Sequence, residues 1–150
     1  MGQSFTKLAI HIIFSTKHRY PFIDAVIEPE LHAYLGGVCK AMGCPPIAIG
    51  GAADHVHILC FFSKRLALVI LMEEIKKRSS KWIKEKGAPY WNFYWQDVYA
   101  AFSVQADDME RLVRYIRNQP LHHQSAGFKD KLLLLLQKNN LRYEEKYGWD

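Results

Sequence analysis

Cysteine is scarce: three residues in 150, and no C-x-x-C pair among them. Cys39, Cys44 and Cys60 are odd in number, which excludes a disulfide framework as the organising device and argues against a cysteine-built metal centre. Reduced thiols in a cytoplasm fit this usage. Long apolar runs are also missing. Leu132 to Leu136 is a helix-sized patch, too short to span a bilayer, and no signal peptide opens the chain, so no membrane partner is expected. Internal repeats, low-complexity linkers and composition breaks are absent, and a single domain over residues 1–150 is expected. Acidic residues are outnumbered, 15 against 20 Lys and Arg, for a net charge of +5. That balance favours an anionic partner, nucleic acid being the commonest, although a solvated basic surface is the plain alternative. Carboxylates are thin around the histidines that matter below: Asp54 is the only one beside them.

What is present is a hydrophobic content of 49%, enough for a packed core, and a glycine turn running into a β-rich segment, Gly50 to Phe62. In a strand, residues i and i+2 share a face, so His55 and His57 point one way and Val56 the other. Their Cα atoms lie roughly 6.6 Å apart, two strand rises. A divalent metal needs about 2.1 Å to each imidazole nitrogen, so both rings can converge on one ion. The alternative is a pair of strand-end histidines bonded to backbone.

The rest of the chain reads as alternating elements. Leu8 to Phe14 is apolar on both faces, as a central strand is. Ile27, Leu31, Leu35, Val38 and Met42 follow helical spacing, with Pro29 in the first turn. Ile47 to Ile49 is a short strand, and Gly50-Gly51 with Asp54 is expected to turn into the histidine strand. A helix is expected over 66–86, then two strand-like stretches, Phe93 to Trp95 and Tyr99 to Val104. Asp107 and Glu110 form a capping-box-like start for a helix carrying Met109, Leu112, Val113 and Ile116. Pro120 biases Gln119 away from helical geometry. Beyond His122-His123, a last helix is expected over 128–137, followed by an aromatic tail, Tyr143, Tyr147 and Trp149. The pattern β-α-β-β-α-β-α predicts an α+β fold, a ferredoxin-like or RNA-recognition-like sandwich. It is an antiparallel β-sheet with helices packed on one face, the first and third strands central, plus a late helix carrying Tyr115.

Phosphate contacts are expected from the loop after the first strand, through Lys17 and Arg19. They are also expected from the basic flank of the second long helix, through Lys76, Lys77, Arg78, Ser79 and Lys81. A solvated helix face is the alternative there. Arg111 and Arg114, on the late helix, are further DNA-binding candidates.

Four segments together resemble one family: Phe14 to Arg19, Asp54-His55-Val56-His57, Trp95 to Val104, and Tyr115-Ile116-Arg117-Asn118-Gln119. They are similar to the single-tyrosine, His-hydrophobe-His transposases of the insertion-sequence two-hundred type, TnpA-type single-strand DNA transposases, and the likeness covers nearly the whole chain. The resemblance implies His55, His57 and the amide oxygen of Gln119 as metal ligands and Tyr115 as the nucleophile. It implies Mg2+ or Mn2+ as the cofactor, and cleavage and rejoining of single-stranded DNA through a covalent 5′-phosphotyrosine. The implied partners are hairpin-bearing single-stranded DNA and a second copy of the chain, in a homodimer whose active sites are shared between subunits. The first strand and Tyr99 to Val104 are apolar enough to bury an edge against that copy.

The chemistry agrees. A tyrosine hydroxyl, with a pKa of about 10, needs a cation nearby to act as phenolate, and no dedicated general base stands out. A non-catalytic single-strand nucleic-acid-binding module would not need His55, His57, Tyr115 and Gln119 as a set. A metal-dependent phosphodiesterase would need more carboxylates than Asp54. A domesticated relative acting on repeated hairpins is an alternative within the family.

Overall fold

The computed structural model describes residues 2–119 and 127–142. Pro120, the His122-His123 pair and the aromatics Tyr143, Tyr147 and Trp149 lie outside the described residues.

The strands are β1 (Ala9–Ser15), β2 (Pro46–Ala52), β3 (His55–Phe61) and β4 (Ala100–Val104). The helices are α1 (Glu28–Ala41), α2 (Leu68–Lys84), α3 (Met109–Arg117) and α4 (Phe128–Lys138). The sheet runs β2-β3-β1-β4 with every neighbour antiparallel. This is the ferredoxin-like order, with the first and third strands central as their apolar sequences require. Among the described residues no helix is long and apolar enough to cross a membrane.

Period-2 alternation divides the side chains of the central strands between two layers. Ile12, Phe14, Val56, Ile58 and Cys60 face α1 and α2 and form the main core with Leu31, Leu35, Val38, Leu71, Ile75 and Ile83. The other face is covered by the late helices. Ile116 of α3 packs on Ala48 and Leu59, and Phe128 and Leu132 of α4 pack on Ile13, Ala100 and Phe102. The two crossover helices therefore share one face as expected, and the tyrosine-bearing helix takes the opposite one.

Several local expectations change. Phe93 to Trp95 is not a strand. It follows a short helical turn, pairs with the chain beside the sheet through an isolated bridge between Trp95 and Thr16, and buries Phe93 and Trp95 in the main core. Gly50 and Gly51 belong to β2, and the turn itself is Ala53-Asp54. No side-chain cap opens α3. A 3-10 turn, Ala106–Asp108, leads into it, and the Asp108 carboxylate is taken by Arg111. β1 lies between β3 and β4, so it offers no edge to a partner, and β2 and β4 are the edge strands.

Candidate metal and nucleophile site

His55 and His57 are fully buried on the α3/α4 side of β3, opposite Ser15 and Ile13 of β1. Each ring is held through its Nδ1. That of His55 lies 2.8 Å from Oδ1 of Asp54, and that of His57 lies 2.8 Å from Nε2 of His11. In each ring Nε2 is thereby the nitrogen left to act as a cation ligand, since the partner of one ring nitrogen decides which role the other can take. His11 does not stand out in the sequence. It is buried, burial pushes its pKa down to about 4, and its ring stacks on His57 at 5.1 Å. Its sequence signal is slight, one histidine in an otherwise apolar strand; the register opposite Leu59 of β3 is what puts it on the same face as His57.

Gln119 lies just beyond α3 and is fully buried, with its Oε1 3.4 Å from Nε2 of His55. That separation is long for a hydrogen bond. It is close to the spacing of two donors on one small cation, roughly 3 Å for ligands at right angles. The Tyr115 ring meets that of His57 edge-on, centroids 5.7 Å apart.

Gly50 makes the approach possible. It lies in register with His57, and a Cβ on it would stand 2.1 Å from the carbonyl oxygen of Ile116. Only a glycine lets the α3 backbone rest on β2 at that point. Tyr115 is thereby set beside the histidine strand.

Two imidazole nitrogens and a buried amide oxygen fit a divalent cation. Among the described residues no three His, Cys, Asp or Glu side chains are grouped as a metal site. Asp54 serves the ring of His55 instead.

The expected DNA contacts fall into separate groups. Lys17 and Arg19 lie on a 3-10 turn at the histidine end of the sheet, tied down by Thr16 N–H to the Asp54 carbonyl and Lys17 N–H to the Tyr94 carbonyl. His18 and Arg19 both adopt a φ of 56°, strained for non-glycine residues. The α2 cations lie across the sheet, on the other face. There, Lys77 and Arg78 pair with Glu74, and Lys81 is exposed beside a shallow groove lined by Tyr34 and Trp82. Lys76 is not open to phosphate. Its ammonium donates to the carbonyls of Gln96 and Val98, and burial, partly offset by Asp97, lowers its pKa to about 8. Ser79 is buried, donating to the Ile75 carbonyl and accepting from the Trp95 indole. Arg111 and Arg114 are exposed on α3 and paired with Asp108 and Glu110. A residue that sequence reasoning missed is Lys131 of α4, whose Nζ lies 6.0 Å from the centre of the Tyr115 ring. Burial lowers its pKa.

A family profile described as "Transposase IS200 like" matches residues 4–119. Among solved structures, a protein from Deinococcus radiodurans R1 described as a candidate transposase is similar at 22% identity and TM-score 0.63, over 79% of this chain and 96% of that one. A REP-associated tyrosine transposase bound to a REP hairpin is similar at 17% identity and TM-score 0.61, over 82% of this chain and 73% of that one. At these identities the two structures speak for the fold. No curated protein matches the chain.

Proposed function

The chain belongs to the IS200-like transposase family, and from that premise we propose that it cleaves and rejoins single-stranded DNA through Tyr115, with a divalent cation held by His55, His57 and Gln119. One observation carries the reading. Residues 55, 57, 115 and 119 come from parts of the chain far apart in sequence and meet on one face of the sheet, each histidine already oriented through Nδ1. A binding module gains nothing from that assembly, because buried polar groups cost free energy unless they are used or bonded.

Magnesium or manganese bound there would neutralise a non-bridging phosphate oxygen and stabilise the leaving 3′-oxygen. Tyr115 Oη attacks phosphorus as its proton departs. The Oη–P bond forms, the P–O3′ bond breaks, and the 3′-oxygen leaves as a hydroxyl, with the 5′ end attached to tyrosine. A second 3′-hydroxyl reverses the step: its oxygen bonds phosphorus, the P–Oη bond breaks, and the phenol regains a proton. The phosphodiester bond energy is conserved, which is why a tyrosine serves where water would only hydrolyse.

The partner we propose is single-stranded DNA folded into a hairpin at the ends of a mobile element, encountered in the cytoplasm; the hairpin bound by the structural neighbour above supports this. Lys17 and Arg19, at the histidine end of the sheet, are proposed to hold the DNA backbone that flanks the site. A homodimer would join through the edge strand β2 or β4. With active sites shared between subunits, as the family resemblance implies, a mixed dimer of His57→Ala and Tyr115→Phe subunits should regain cleavage, and a mixed dimer that stays inactive would place each site within one chain. The deciding experiment incubates labelled element-end single strands with protein and magnesium. An SDS-resistant adduct is expected from the parent and none from Tyr115→Phe; an adduct persisting in that variant would move the nucleophile elsewhere.

A further inference from the structure

The α3/α4 face buries a cation as well as its histidines. Lys131 lies one turn along α4 from Phe128, whose ring packs 4.5 Å from that of His55. The Lys131 Nζ is shielded from solvent and, among the described residues, has no hydrogen-bond partner. Lys76 shows how this chain treats a buried ammonium that serves packing: two backbone carbonyls receive it. Among the described residues Lys131 has no such acceptors, and a desolvated ammonium without one is costly to keep unless an anion completes it.

The neighbouring side chain says which anion. Nζ lies 6.0 Å from the centre of the Tyr115 ring, and Tyr115 is half-buried. Resting on the transposase reading of this site, we propose that Lys131 is a catalytic residue that binds a non-bridging oxygen of the phosphodiester attacked by Tyr115. A phosphodiester carries the negative charge the ammonium lacks, and charge builds on those oxygens in the transition state. The low-polarity setting makes one cation there worth more than several on the surface. Arg111 and Arg114 do not fill the role, being exposed and paired with acids. Sequence alone hides Lys131, since it sits in the leucine-rich stretch that reads as a packing helix.

Lys131→Met and Lys131→Arg, compared with the parent, test the proposal. Three quantities are measured: thermal midpoint, binding of the element-end single strand in EDTA, and the single-turnover rate of adduct formation at saturating DNA. Lys131→Met should melt no lower than the parent, because it removes an unpaired buried charge, yet form adduct about 100-fold more slowly, as loss of one transition-state donor does. Lys131→Arg should stay within about tenfold of the parent rate, keeping the charge. A Lys131→Met rate within threefold of the parent overturns the proposal. So does a large drop in its melting temperature or failure to fold, which would make the lysine structural. The Tyr115→Phe control separates the two levels: an adduct in that variant defeats the nucleophile assignment itself, whereas no adduct there with a normal Lys131→Met rate defeats only the role of Lys131.

Discussion

The two faces of one sheet do different work with adjacent residues. On the α1/α2 side, buried polar groups are few: the Trp95 indole donates to Ser79, Ser79 donates to the Ile75 carbonyl, and the His32 Nε2 of α1 has no hydrogen-bond partner among the described residues. On the α3/α4 face, the same strands bury His11, Ser15, His55 and His57, joined by Gln119 from beyond α3. There, the Ser15 hydroxyl and the Lys131 ammonium have no hydrogen-bond partner among the described residues. A satisfied polar group in a core serves packing, and a cluster of incompletely satisfied ones marks a face that waits for a ligand. Burial as such does not tell the faces apart; the number of polar side chains buried together does.

Neighbouring substitutions should separate the faces most sharply. His57→Ala is expected to slow adduct formation on the order of 1,000-fold, the loss of most metal-derived charge stabilisation. Its stability cost should be about 1–3 kcal/mol, from leaving His11 without its partner. Ile58→Ala, one residue on and facing α1/α2, should cost about 2–5 kcal/mol of stability. Its rate should stay near the parent's wherever the protein remains folded. Urea unfolding and single-turnover rates on both variants check the contrast, and equal profiles would erase the distinction between faces.

Gly50→Ala should disturb the packing of a helix on the sheet on one side alone. The added methyl meets the Ile116 carbonyl, so α3 must lift. A displacement of that order should slow adduct formation about 100-fold and destabilise by about 1–3 kcal/mol. A parent-like rate would mean that the position of Tyr115 does not depend on this approach.

His11→Leu sharpens the comparison from within the site. It keeps a buried side chain of similar size and removes the bond to His57. Manganese affinity, read by the disappearance of the free-ion EPR signal, should fall about 10- to 100-fold, as it does for partners that orient a ligand. Unchanged affinity would reduce His11 to packing.

The smallest effect is expected on the opposite face. Lys77→Ala with Arg78→Ala should weaken single-strand binding severalfold and reduce the salt slope by about one for each phosphate no longer neutralised. The adduct rate at saturating DNA should not change, because α2 lies across the sheet from Tyr115. An unchanged salt slope would return these cations to their pairing with Glu74.

Much of this arrangement was legible in the chain because it depends on local periodicity. Alternation alone places His55 and His57 on one side of β3 and Val56 on the other, and apolar stripes at helical spacing locate α1, α2 and α3. The failures share a cause as well. Lys76 and Ser79 read as parts of a basic, phosphate-ready flank, yet the 93–98 segment folds over α2 and takes both as bonding partners. Phe93 to Trp95 has strand composition, but its aromatics are drawn into the core instead of a ladder.

By itself the sequence determined which residues share a strand face or a helix stripe, since those relations are set by two backbone periods and hold over a few residues. Tertiary structure alone decided which face each helix covers, that Gly50 lets α3 touch β2, that His11 holds His57, and that Lys131 reaches Tyr115. These are distances between elements far apart in the chain, and they are settled by close packing, which no local pattern encodes.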